Sequence, residues 1–298
     1  MKKNYFRDLL VQDISTSNVI ISGIAYDLGC SCGSGASKEF EKMCELSAYL
    51  PPFSMDGKDL RNIKLYNNEL LKIDEKDFYN SLFLKAETLF ATGKINVFIG
   101  GDHSVSISTE KAFLDYCKKV EKIPVIIHID AHPDICDIYN ESKYSHACTN
   151  RRSLENGLAD ENLVLIGIRG YEAQEVEFLH KHPKISVYNA SYLNRYGILK
   201  MLNELKNKYS DNKHLVYLSY DIDANDPSFA PGTGTPEAFG LNNLDILEIV
   251  KFIIANLNVV ATDLVEISPS LDINDITTWL GLKTLYEIFN ELIEKNKF

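Results

Sequence analysis

Pro124-Val125-Ile126-Ile127-His128-Ile129-Asp130-Ala131-His132-Pro133-Asp134 passes without a break from an apolar run to a polar cluster. The apolar half predicts a buried strand, so the cluster starts where that strand leaves a sheet. Asp130, His132 and Asp134 recur at every second residue. In extended backbone that spacing puts all three side chains on one face, and Pro133, which has no N–H and disfavours helix at His132, argues against the helical alternative. Two carboxylates and an imidazole facing one way are costly to bury unless a cation sits among them. A lone Asp-x-His is also found at solvated loop ends and in cores, so the rest of the chain has to discriminate.

Outward from this stretch, strands and helices alternate. Strands are predicted at Asn18 to Tyr26, Asn96 to Ile99, Leu163 to Ile168, Ile185 to Tyr188, His214 to Ser219 and Asn258 to Val265. Helices are predicted at Lys38 to Ala48, Glu75 to Thr92 with Gly93 as its C-cap, through Phe113 to Lys119, to about His180, to about Lys208, Asp245 to Asn256, and Asn274 to Glu294. Pro51-Pro52-Phe53-Ser54-Met55-Asp56-Gly57, within Leu50 to Asn68, is a turn-rich excursion suited to a rim loop or subunit contact. There is no linker, repeat or low-complexity tract. The expectation is an α/β fold: a single three-layer domain over residues 1–298, with a mainly parallel central sheet flanked by helices.

Ligands of such sheets bind beyond the carboxyl ends of the strands. Four polar clusters stand there: Gly100-Gly101-Asp102-His103, Asp130-x-His132-x-Asp134, Asp221-Ile222-Asp223 and Glu266. The first could instead be a glycine loop for phosphate, but it lacks the lysine of a nucleotide loop and carboxylates surround it. Asp221 to Pro227 also reads as a turn, being rich in Asp, Asn and Pro. His103, His132, Asp130, Asp134, Asp221 and Asp223 together make two histidines and four aspartates, more than one divalent ion normally takes and suited to two ions sharing carboxylates.

A formal net charge of −11 argues against affinity for nucleic acid or anionic membranes and favours a cationic substrate. With 45% hydrophobic residues the chain can fill a sizeable core, and no segment reads as a membrane span or signal peptide. The six cysteines, Cys30, Cys32, Cys44, Cys117, Cys136 and Cys148, show no disulfide framework and read as free thiols in a reducing cytoplasm. Cys30-Ser31-Cys32 lacks the second pair a structural zinc would need. Cys136 receives no role.

Gly100-Gly101-Asp102-His103-Ser104, Asp130-Ala131-His132-Pro133-Asp134, Ser219-Tyr220-Asp221-Ile222-Asp223-Ala224-Asn225-Asp226-Pro227 and Asp263-Leu264-Val265-Glu266-Ile267-Ser268-Pro269 resemble, in order, the signatures of the ureohydrolases, the arginase and agmatinase family. The resemblance implies an arginase-like fold and two Mn²⁺ ions per chain. His103 and Asp134 would bind one ion, His132 and Asp223 the other, with Asp130 and Asp221 bridging. Two such ions lower the pKa of a shared water, which would attack a guanidinium carbon. Asp134 would help take its proton, His146 would match the family's proton shuttle, and Glu266 would match the carboxylate that pairs with the guanidinium. Read singly, His146 is a solvated loop residue and Glu266 an exposed strand end. His128, inside the strand, reads as structural.

Gly232-Thr233-Gly234-Thr235-Pro236 is similar to the agmatinase side of the family, and the loop by which arginases hold the amino-acid end of arginine is not evident between Asp134 and His146. Agmatine, hydrolysed to putrescine and urea, is the substrate this implies. Lys143, Arg151 and Arg152 could instead face an anionic substrate such as guanidinobutyrate or formimidoylglutamate, and arginine is a further alternative. The Gly33-Ser34-Gly35-Ala36-Ser37-Lys38 segment departs from the agmatinase pattern, and family members are commonly trimers or hexamers, so a homo-oligomer is expected. A single-zinc deacetylase of related fold is disfavoured by His103 and the full set of aspartates. A non-catalytic metabolite-binding member would be marked by a lost ligand, and none is lost.

Overall fold

The computed structural model describes residues 5–296. Its strands are β1 (Val19–Gly23), β2 (Leu65–Leu70), β3 (Ile95–Ile99), β4 (Ile123–Ile129), β5 (Leu163–Ile168), β6 (Ser186–Asn189), β7 (His214–Asp221) and β8 (Val259–Val265). Its helices are α1 (Glu39–Ser47), α2 (Phe78–Phe90), α3 (Ser106–Lys119), α4 (Thr149–Glu155), α5 (Ala173–Lys181), α6 (Ala190–Tyr196), α7 (Leu199–Tyr209), α8 (Asn243–Asn256) and α9 (Ile276–Asn296). The strands form one sheet in the order β2-β1-β3-β8-β7-β4-β5-β6, with every neighbouring pair parallel. Among the described residues no helix is long and apolar enough to cross a membrane.

Both faces of the sheet are covered, as a parallel sheet with crossover helices requires. Alternate residues of each strand feed two apolar layers. Ile127, Ile129, Leu218 and Tyr220 pack with α7, α8 and α9, while Ile126, Tyr217 and Phe98 pack with α2 and α3. The four strands that end in polar clusters, β3, β8, β7 and β4, are adjacent at the centre of the sheet. Residues from distant parts of the chain therefore reach one rim.

The excursion between Leu50 and Asn68 holds an unforeseen strand, because β2 pairs with β1 at the sheet edge. Its sequence, Leu65-Tyr66-Asn67-Asn68-Glu69-Leu70, has no apolar run because an edge strand buries little of itself, and Glu69 at φ 60 breaks its regularity. The helix expected to continue to Lys208 is two, α6 and α7, divided at Gly197 with φ 78. A positive φ cannot continue a right-handed helix.

Glu110 of α3 is buried, bonded to Ser153, and left with Oε1 unpartnered. Burial first, and the nearby Asp263 charge after it, push its carboxyl up to about 8. A carboxyl raised on folding binds its proton more tightly in the folded state, so stability falls as pH rises from the ordinary range near 4.5 to about 8. Glu110→Gln should remove this loss. Urea unfolding is expected to show the variant more stable than the parent by on the order of a few kcal/mol at pH 8.5, with little difference at pH 4.5.

Candidate metal centre and active site

Gly100 and Gly101, with φ 89 and 87, turn the chain off the end of β3. Asp102 then accepts a hydrogen bond from Ser104 N–H at 2.9 Å and starts the short turn that aims His103 back over the sheet. His103 Nδ1 lies 3.0 Å from Asp130 Oδ2, 3.1 Å from Asp221 Oδ2 and 3.2 Å from Asp134 Oδ2. His132 Nδ1 lies 3.2 Å from Asp223 Oδ2 and 3.5 Å from Asp130 Oδ1. Asp130 faces both imidazoles.

The convergence does not come from extended backbone. His132 N–H donates to Asp130 Oδ1 at 2.6 Å, and Asp134 adopts φ 51. At the end of β7, Asp223 N–H donates to Asp221 Oδ1 at 2.8 Å and the segment Ile222–Ala224 is a turn of 3-10 helix. In both places a carboxylate caps the turn that brings its neighbour round, so local hydrogen bonding replaces strand alternation. His128 is also drawn in. Its Nε2 is 2.9 Å from Asp130 Oδ2, and its side chain joins His103, Asp130 and Asp134 in a group whose donor atoms lie within 4.8 Å of one another.

This donor set fits a metal. Asp130, His132 and Asp223 form a second group of the same compactness, sharing Asp130 with the first. Asp130 Oδ2 is buried and accepts no aligned hydrogen bond. His103 Nε2 is 2.8 Å from Ser219 Oγ, and that hydroxyl donates to Asp263 Oδ1 at 2.8 Å. The hydroxyl therefore accepts from Nε2–H, which leaves the Nδ1 lone pair facing the carboxylates and available to a cation. Burial pushes Asp134 and Asp221 well above the usual carboxylate range, assisted by the charges of Asp130 and, for Asp221, of Asp223. Burial opposes charge on His103, yet Asp130, Asp221 and Asp134 outweigh it and hold the imidazole well above its ordinary value. The cluster holds protons where a cation would take their place.

Glu266 follows β8 at φ 66 and is buried. Its Oε1 accepts from His103 N–H at 2.9 Å and lies 3.4 Å from His146 Nδ1. His146 sits in the turn His146–Cys148, just before α4. Burial opposes its charged form, but the hydrogen bond and charge of Glu266 raise its pKa above the ordinary imidazole value. His146 lines, with His132 and Asp134, a cleft of about 200 Å³ bordered by Glu172 and Glu237, and Glu266 lies behind His146. Glu175, also in the lining, is buried and accepts from Ile135 N–H and Glu172 N–H.

Residues 17–290 match the model of the arginase family. The chain is 31% identical to the agmatinase of Neisseria meningitidis serogroup C (strain 053442) over 92% of its own length and 87% of that protein's. It is 30% identical to the guanidinobutyrase of Pseudomonas aeruginosa, covering 89% of this chain and 83% of that one. The agmatine ureohydrolase structure from Thermoplasma volcanium superimposes with a TM-score of 0.88 at 26% identity, over 100% of this chain and 97% of that one. The chain belongs to the arginase family. It is a metal-dependent amidinohydrolase, an agmatinase-like ureohydrolase with an arginase fold.

In this arginase-family chain the six residues singled out as metal ligands meet in one cluster, and His146 and Glu266 stand beside it. Lys143, Arg151 and Arg152 do not line the cleft. Arg152 pairs with Asp137 and Glu155, each at 3.0 Å, Arg151 with Glu155 at 3.3 Å, and Lys143 lies 4.0 Å from Asp137. Cys136 is buried, and burial pushes its thiol up, which disfavours the nucleophilic thiolate.

Arg169, absent from the sequence motifs, braces the Asp223 turn beside the site. Its guanidinium donates to backbone carbonyls of Gly167, Asp223, Ala224, Asn225, Glu237 and Ala238, tying the Asp223 turn to the rim loop. Its place directly after β5, at the same rim as the other clusters, was the available signal. Next to it, a methyl on Gly170 would lie 2.6 Å from His132 Cδ2 and 2.8 Å from Nε2. Gly170→Ala should displace His132 and lower metal affinity about 10- to 100-fold while the protein stays folded. Metal titration followed by thermal unfolding checks this.

Proposed function

We propose that this chain hydrolyses agmatine to putrescine and urea at two Mn²⁺ ions, held by His103 and Asp134 and by His132 and Asp223, with Asp130 and Asp221 shared. The oxygen-rich donor set favours manganese over zinc. When bound, the ions act as Lewis acids and lower the pKa of water. Glu266 orients the guanidinium through its carboxylate, the acceptor that matches a fork of N–H donors. Asp134 accepts a proton from the attacking water, and His146, 3.4 Å from Glu266, gives one to the departing amine.

The observation that carries agmatine over the alternatives is the sign of the cleft. Glu172 and Glu237 border it with Tyr139 and Tyr171, no lysine or arginine among the described residues does, and a distal ammonium suits both carboxylates and aromatic faces. A distal carboxylate would meet repulsion. The candidate cations for an anionic substrate are paired elsewhere.

Urea release by the Mn²⁺-loaded protein should be fastest from agmatine in a panel with arginine, guanidinobutyrate and guanidinopropionate, with ammonia and formamide followed for formimidoylglutamate. Glu237→Gln should raise KM for agmatine by about tenfold and leave that for guanidinobutyrate unchanged or lower, the size of one lost charged contact. Preference for guanidinobutyrate would displace this reading.

A further inference from the structure

The loop from Gly29 to Gly35 packs against the cleft and supplies an unexplained hydroxyl. Ser31 Oγ lies 2.9 Å from His146 Nε2, at the ring nitrogen that does not face Glu266. The loop is pinned on both sides of that contact. Gly29 N–H donates to Asp102 Oδ2 at 2.7 Å, and Gly29 O accepts from His146 N–H at 3.1 Å and from Ser145 Oγ at 3.3 Å. Two residues beyond Ser31, Gly33 N–H donates to Gly234 O at 3.2 Å. No side chain fits at Gly29, where a methyl would lie 2.4 Å from Ser104 Oγ. The hydroxyl is therefore held at a set place relative to His146 by the backbone of His146 itself.

We propose that Ser31 is a positioning residue for His146, its hydroxyl fixing the ring so that Nδ1 faces Glu266 and the reacting guanidinium. The inference rests on the reading of His146 as proton donor. A neutral imidazole with Nδ1–H directed at Glu266 needs a donor at Nε2, and an imidazolium needs an acceptor there. A serine hydroxyl rotates to serve as either, so the ring keeps its orientation through the proton transfer. Alanine can do neither. Threonine retains the hydroxyl.

The test is a kinetic cycle on the Mn²⁺-loaded enzyme with agmatine. Ser31→Ala should lower kcat by about tenfold, as loss of one hydrogen bond would, with KM changed by less than about twofold. Ser31→Thr should restore kcat to within about twofold of the parent. In a His146→Asn background, Ser31→Ala should have no further effect, because the group it positions is gone. An unchanged kcat in Ser31→Ala, an equal loss in both backgrounds, or failure of threonine to rescue would overturn the inference while leaving His146 as proton donor. A His146→Asn enzyme with undiminished kcat would instead remove the role of His146, and the inference with it.

Discussion

Asp221→Asn should lower turnover of the Mn²⁺-loaded protein by more than about 100-fold, beyond what loss of an outer hydrogen-bond partner costs. The fold should survive. The amide oxygen of the introduced side chain can still accept the Asp223 N–H bond, now made at 2.8 Å to Oδ1 of Asp221, so the turn at the end of β7 keeps its cap. What disappears is a carboxylate charge that burial and the neighbouring Asp223 and Asp130 make expensive. The metal-free variant is therefore expected to be at least as stable as the metal-free parent. Mn²⁺ should raise the thermal midpoint of the parent and not that of the variant, since a ligand stabilises only what it binds. Metal content by mass spectrometry and melting curves with and without Mn²⁺ check both halves. A variant that still gains stability from Mn²⁺ and retains turnover would show that Asp221 is not a shared ligand.

Glu266→Gln should cost about 2–5 kcal/mol of transition-state binding, roughly 30-fold to several thousand-fold in kcat/KM. The substitution keeps shape and can keep the His103 N–H bond to Oε1, so the loss reads the carboxylate charge facing a guanidinium. Metal content is expected to stay near that of the parent, which separates this effect from that of Asp221→Asn. Because Glu266 also raises the pKa of His146, the variant's His146 should titrate lower, as seen by imidazole NMR. An unchanged kcat/KM would remove Glu266 from the guanidinium site.

The two substitutions probe features with different origins. Asp221 was legible because its cluster, like the others, follows an apolar run that can only be a buried strand. Glu237, Arg169 and Ser31 were not. Glu237 stands one residue past a quoted motif, Arg169 spends its guanidinium on backbone carbonyls, and Ser31 reaches His146 across a separation of 115 residues. Nothing local marks such residues, because their partners are chosen by the packing of loops. The alternation at Asp130, His132 and Asp134 predicts side chains converging from extended backbone; they converge, but through short capping bonds rather than pleating.

By itself the sequence determined a parallel α/β sheet, through apolar runs of strand length separated by amphipathic helices. It also determined which residue types stand at the strand ends, because a chain leaving a buried strand must present its next side chains at the rim. Only the tertiary structure decided that β3, β8, β7 and β4 lie side by side, which makes four separate clusters into one site. It also decided the sign of the cleft. Lys143, Arg151 and Arg152 lie close to His146 in the chain yet are turned away into pairs with Asp137 and Glu155, leaving glutamates at the rim. Strand order and the direction a side chain takes off a loop depend on contacts between residues far apart in sequence, and local pattern carries no record of them.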